Sequence, residues 1–135
     1  MAIQYSVAVR NAMLDAIETT IGASAILKIR SGAAPANTAA SDTGTVLATI
    51  NLPSDYLAAA SGGSKAMSGS WADNSADASG TAAHYRLYAS DGTSCHEQGT
   101  VSATGGGGDL EVDNVIFATG QQFTITQFTT NAHNS

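Results

Sequence analysis

Few side chains in this chain of 135 residues have the chemistry for catalysis: three histidines and a single cysteine. Cys95 and His96 are sequence neighbours. On a strand, neighbours point to opposite faces, so these two do not pair with each other as thiolate and imidazole. His84 is the remaining base that strand pairing brings near. Asp91-Gly92 reads as the tip of a two-residue hairpin, which sets residue 90 against 93 and so His84 against Gly99, away from Cys95. No nucleophile and base converge in that register, and we expect no catalytic residue and no enzyme. A lone cysteine also excludes an intramolecular disulfide and any multi-cysteine metal site.

Asp109, Glu111 and Asp113 alternate along one predicted strand and share a face. Three carboxylates invite comparison with a Ca²⁺ site, which needs six to eight oxygens. Alternate strand residues lie about 6.6 Å apart, too far for one ion to bridge without further ligands. The reading we adopt is a solvated face that discourages edge-to-edge pairing, with no metal. The run from Gly105 to Gly108 precedes a strand with acids. A phosphate-cradling loop needs a helix N-terminus and usually a lysine behind it, so this run reads as a flexible turn and no cofactor is expected.

Composition narrows the classes further. Apolar residues make up 43% and charged residues only 12%, against about 25% charged in ordinary domains. Five basic and eleven acidic side chains give a net charge of −6. Nucleic acid as a partner is excluded because phosphate binding needs clustered Lys and Arg. Docking on anionic lipid fails for the same reason. Disorder goes with low hydrophobicity and high net charge, which is not this balance. The start, Met1-Ala2-Ile3-Gln4-Tyr5, has no basic region followed by an apolar one, so no signal peptide is expected. No apolar run approaches the roughly 20 residues that span a bilayer. The length suits one domain, residues 1–135, and the size rule gives such a fold roughly 6,600 Å² of surface.

The elements that position these residues follow from periodicity. Ser6 is a plausible N-cap, Leu14, Ile17 and Ile21 recur at helical spacing, and Gly22 stands where a C-cap is wanted. This predicts a helix over residues 6–21, within an N-terminal arm and helix spanning 1–22. Beyond Gly22 the period becomes two. Strands are predicted over residues 25–31, 45–52, 65–71, 81–90, 94–103, 109–114, 115–117 and 121–130. About eight short strands with glycine-rich turns and one early helix indicate a mainly β fold, a two-sheet antiparallel sandwich of jelly-roll-like type. Residues 32–44 have no period and read as an extended loop or arm, a length uncommon unless the loop contacts something.

With so little charge, the surface consists of Ala, Ser, Thr, Gly and Asn, which suits contact with other protein. Trp71, Tyr85, Phe117 and Phe123 read as core. Tyr88 and Phe128 fall on the opposite faces of their strands and read as exposed partner contacts. Arg10 on the helix, and Lys28 and Arg30 on one strand face, are candidates for an acidic partner surface. The aperiodic segments 1–5, 32–44 and 130–135 are candidate arms, with Ile3, Tyr5, Pro35 and Asn37 as contact residues.

Several stretches carry a family resemblance. The helix with Arg10-Asn11-Ala12 and Leu14-Asp15-Ala16-Ile17-Glu18, followed by Ile29-Arg30-Ser31-Gly32-Ala33, is similar to small structural proteins of tailed bacteriophages. So are Gly80-Thr81-Ala82-Ala83-His84-Tyr85-Arg86, Gln98-Gly99-Thr100-Val101 and Gly120-Gln121-Gln122-Phe123-Thr124-Ile125. The type is capsid cement or decoration protein, some of which are jelly rolls. The resemblance implies a non-enzymatic protein made in the host cytoplasm. It would bind the outside of the capsid and bridge neighbouring subunits of the major capsid protein, as a homo-oligomer. A tail or head–tail connector component is the structural alternative. A carbohydrate-binding module for host adhesion is the alternative of another class, and needs exposed aromatics at Trp71, Tyr88 or Phe128.

Overall fold

The helix starts where a side chain can replace the missing backbone acceptors. Ser6 Oγ accepts the N–H of Val9 at 3.2 Å, and α1 runs over Val7–Ile21. It stops at Gly22, whose φ of 86° suits glycine and whose N–H closes on the Glu18 carbonyl at 2.9 Å. The structure, a computed structural model, describes residues 3–132. The ends of the two terminal arms, residues 1–2 and 133–135, lie outside the described residues.

Nine strands follow among the described residues: β1 Ile26–Ser31, β2 Val46–Asn51, β3 Ser64–Ala66, β4 Ala72–Asp73, β5 Gly80–Tyr88, β6 Cys95–Ala103, β7 Leu110–Val112, β8 Ile116–Phe117 and β9 Phe123–Asn131. The fold is mainly β with one helix, as expected. Its strands join in a single curled sheet of order β2-β1-β5-β6-β7-β9-β3, with β4 on β9 and β8 on β5. They do not divide into the two sheets of the expected sandwich, and the sheet is mixed because β6 and β7 are parallel. Parallel neighbours normally need a crossover of a dozen or more residues. Here residues 104–109 suffice, and this explains the glycine run. Gly105 and Gly107 take φ of 85° and 82°, and a Cβ on Gly106 or Gly108 would lie 2.8 or 2.7 Å from Ser102.

Two buried layers flank the central strands. On one face Leu27 and Ile29 of β1 oppose Leu87 and Tyr85 of β5, with Ile50 and Ala48 of β2 beside them. Trp71, Phe117, Phe123 and Ile125 extend this core. The rings of Phe117 and Phe123 stack at 4.5 Å between centroids. The other face carries Lys28, Arg30, His84, Arg86 and Tyr88, and period-two patterning sends it toward solvent. In the structure it is covered instead, and His84 and Arg86 are each only 1% exposed. The cover is the chain's own segment 32–44.

The helix docks through its Leu14–Ile17–Ile21 stripe, as expected, and also through the polar residues beside it. Of its residues only Leu14 and Ile21 are fully buried. Its polar stripe faces the body: Asn11 accepts Gly63 N–H at 2.9 Å, Asp15 accepts Ala60 N–H at 3.0 Å, and Glu18 accepts Leu57 N–H at 2.9 Å. Buried Lys65 reaches up to Asp15 at 2.8 Å and to Glu18 at 3.8 Å. Positions 11, 15 and 18 lie on one helix face. That face binds backbone amides of the segment before β3, while Val7, Val9 and Met13 stay outside. The described fold exposes 6639 Å², close to the size-rule value.

Candidate functional site

The residues expected to contact a partner are scattered by the fold into three groups. Ile3 and Tyr5 are exposed, at 74% and 46%. Arg10 is half-buried and donates from Nε to the Ala132 carbonyl at 2.9 Å. Lys28 is half-buried, with Nζ 3.3 Å from the Gly92 carbonyl and 5.0 Å from the Tyr88 ring centre. Asn37 is exposed, but its Oδ1 accepts Ala39 and Ala40 N–H and so shapes its own loop. Arg30, Pro35, Tyr88 and Phe128 are buried, which corrects their expected role as contacts.

Each of the four has a physical reason. Phe128 changes face because the β7–β9 register slips: Val112 opposes Ile125, whereas Glu111 opposes Gln127. The extra residue on β9 is a bulge, and a one-residue shift moves everything after it to the other face. Phe128 thereby joins Trp71 at 5.4 Å and Tyr85 at 5.8 Å, edge-on to the latter. Tyr88, Arg30 and Pro35 are buried because segment 32–44 folds back on β1, β5 and β6. Trp71, Tyr88 and Phe128 are all at most 3% exposed, so the aromatic platform needed for a carbohydrate-binding module is not formed by them.

Segment 32–44 is held by a dense polar cluster. Arg86 donates to the Thr38 carbonyl at 2.7 Å, the Ala40 carbonyl at 3.1 Å and Asp42 at 2.6 Å. Arg30 donates to Asp42 at 2.9 Å, and Tyr88 O–H to Asp42 at 2.7 Å. Gln98 Nε2 donates to the Pro35 carbonyl at 2.8 Å, and His84 Nδ1 lies 2.8 Å from the Gly32 carbonyl. Burial pushes the Asp42 carboxyl up, but the Tyr88 hydrogen bond and the two guanidinium charges outweigh it, and it sits below the ordinary value. Tyr88 moves the other way, pushed up to about 12 by burial and by Asp42. The candidate arm is therefore folded as a lid on its own sheet.

The pairing of the reactive residues differs from expectation in register. His84 opposes Thr100, and Cys95 opposes Tyr88. The turn is longer than two residues, since the Ala89 N–H reaches the Ser94 carbonyl at 3.0 Å. Asp91 Oδ1 accepts the N–H groups of Thr93 and Ser94 inside it. Cys95 Sγ accepts from Arg86 Nε at 3.1 Å. The three alternating carboxylates each bind backbone amides. Asp109 accepts Thr100 N–H at 2.9 Å, Glu111 accepts Gly105 N–H at 3.1 Å, and Asp113 accepts Thr124 N–H at 3.3 Å. Among the described residues no group of three or more His, Cys, Asp or Glu is placed to hold a metal.

Two surface features remain. The first is apolar. Among the described residues, Ile3, Tyr5, Val7, Val9 and Met13 are 44–74% exposed, and Ile116 is the other large apolar side chain at the surface. The second is a cleft of about 630 Å³ between α1 and the sheet, lined by Met13, Ile17, Tyr85, Glu97, Asp109 and Phe128 among others. Its polar centre is the Tyr85 hydroxyl, which donates to Glu97 Oε1 at 2.6 Å. Tyr85 lies flat across β6 because residue 99 is glycine; a Cβ there would meet Tyr85 Cε1 at 2.7 Å. Burial raises the Glu97 carboxyl; the Tyr85 hydrogen bond lowers it in part, and Asp109 raises it again. Nothing in the sequence pattern announced this cleft, because its walls come from α1, β5, β6 and β9. No helix among the described residues is long and apolar enough to cross a membrane. No protein-family model, curated protein or solved structure matches the chain.

Proposed function

We propose that this chain is a non-enzymatic virion protein of a tailed bacteriophage that binds the outer capsid surface and bridges neighbouring major capsid subunits. The observation that carries this reading is the run of exposed apolar side chains at Ile3, Tyr5, Val7, Val9 and Met13. They lie close together in sequence, in the arm and the first two turns of α1, and exposed large apolar side chains there suit an interaction site. The polar stripe of α1 and the adjoining Leu14–Ile21 stripe hold the helix to the body, and Val7, Val9 and Met13 remain exposed. Low charge suits such a contact, since interface centres are depleted of charged side chains. The family resemblance supplies the partner, the major capsid protein, and the expectation of a small homo-oligomer. Many identical contacts around a shell act together, so each one need only be modest.

The test is cryo-microscopy of particles from the phage that encodes the chain, with wild-type protein and with the double variant Val9→Glu, Met13→Glu. Wild type should decorate the head in tens to hundreds of copies. The variant should keep its melting temperature and leave the head bare. A few copies at the tail or the portal would replace this reading with the connector alternative, and an undecorated wild-type particle would end it.

A further inference from the structure

The sheet contains a slot. Strands β6 and β9 are nine residues long each, whereas β7 between them has three. β7 covers β6 only from Val101 to Ala103 and covers β9 only from Ile125 to Phe128. Beyond β7's first residue, Leu110, residues 95–99 of β6 have no strand on that side among the described residues. The same holds for residues 129–131 of β9, whose other side pairs with β3. The open stretches run for three to five residues, about 10–16 Å of strand. The helix-side cleft lies in this gap, since His96, Glu97 and Gln98 line it from one side and Phe128, Thr129 and Thr130 from the other.

The chemistry of the slot is defined. Its roof is the apolar side of α1, from Met13 to Thr20 through Ala16 and Ile17. The charged residues in its walls are Glu97 and Asp109, and among the described residues no Lys or Arg lines it. Asp109 Oδ2 already bonds the Thr100 N–H and hydroxyl, so it caps the end of the slot where β7 begins. Strand alternation then turns the Gln98 N–H and C=O into the gap, two residues from Thr100 on the same side of β6. An exposed strand edge offers main-chain hydrogen bonds, and alternate side chains supply selectivity.

We propose that this gap is a receptor for an extended peptide segment from another protein, added as a strand in line with β7 and bearing a Lys or Arg with an apolar residue two positions before and two after it, so that all three share one face. The segment runs parallel to β6 and antiparallel to β9. Its basic side chain meets the Tyr85–Glu97 pair and Asp109, and its apolar side chains meet Met13, Ile17 and Phe128. The raised Glu97 carboxyl fits a group that lacks a cation until the segment arrives. This inference does not rest on the capsid reading, although Met13 serves both surfaces, since it names the chemistry of the occupant and no particular protein.

The experiment uses the capped peptide acetyl-Val-Thr-Lys-Thr-Val-Thr-amide, whose Lys and Val side chains share one face when extended, and the whole chain labelled with ¹⁵N. Titration should shift the amide signals of Gln98, Thr129 and Thr130 and give cross-strand contacts from the peptide to both strands. Replacing the peptide lysine by norleucine should weaken binding about tenfold or more, the loss expected for a charge-assisted hydrogen bond. Methylating alternate peptide nitrogens should abolish it. Glu97→Gln should weaken the lysine peptide and leave the norleucine peptide unchanged. Because the peptide controls need no protein variant, a folding defect cannot obscure the answer. Shifts elsewhere only, no shift at millimolar peptide, or equal binding of the lysine and norleucine peptides would each overturn the proposal.

Discussion

Asp42→Asn tests how the lid over the polar face is held. The substitution keeps the side-chain shape and removes the charge that Arg30 and Arg86 share at 2.9 and 2.6 Å. Those two guanidinium side chains are 7% and 1% exposed, so they lose their counter-charge where water cannot replace it. Breaking a buried pair from one side costs about 3–5 kcal/mol. Asp42 itself is 39% exposed, so part of that is screened. We expect about 2 kcal/mol at pH 7, or roughly 6–8 °C in melting temperature for a chain of this size. Amides of residues 38–44 should also exchange faster with solvent. The pH dependence follows from the depressed Asp42 carboxyl. The folded state holds this proton less tightly than the unfolded state, so the stabilisation is complete above the ordinary value of 3.8 and is lost as pH falls below it. Urea unfolding of wild type and Asp42→Asn should therefore differ at pH 7 and converge near pH 2. A difference under about 0.5 kcal/mol at pH 7, or one unchanged at pH 2, would falsify the account of a charge-held lid.

Four further outcomes are expected. Trp71→Ala and Phe123→Ala should each cost about 3–5 kcal/mol in denaturant unfolding, as both side chains are 1% exposed; Trp71 emission should be blue-shifted in the folded chain and red-shifted on unfolding. Gly99→Ala should cost about 1–3 kcal/mol by driving a methyl into the Tyr85 ring, with loss of the Tyr85–Glu97 bond visible in tyrosine ring NMR. Lys65→Met should free the first turns of α1, read as faster amide exchange over residues 8–15, because the cation that joins Asp15 to the Ala58 carbonyl is gone. Glu97→Gln should be more stable than wild type at pH 8 and lose that advantage toward pH 4. The raised Glu97 carboxyl favours the folded state only while protonated, and that contribution disappears as pH rises through its folded value.

The local chemistry of the chain determined its elements. Ser6 and Gly22 bound the helix through hydrogen bonds that neighbouring residues supply. Period-two stretches became β1, β2, β5, β6 and β9 within a few residues of where alternation places them, and the central residues Leu27, Ile29, Tyr85 and Leu87 are core as their shared face implies. Of the third predicted strand, over 65–71, only residues 65–66 are strand, within β3; β4 begins just after it, and β3 and β4 pair with different stretches of β9. Tertiary structure decided everything that depends on which surfaces meet. A bulge invisible in the alternation of β9 turned Phe128 inward. Asp42, more than forty residues from Arg86 in sequence, made a lid of a segment whose composition reads as an arm. The helix uses its polar side beside the Leu14–Ile21 stripe because the segment before β3 offers backbone N–H groups that Asn11, Asp15 and Glu18 accept, and such bonds to carboxylates are strong. The slot beside β7 exists because three strands of unequal length pair side by side. Length mismatch between partners is a property of the pairing, and no single stretch of sequence carries it.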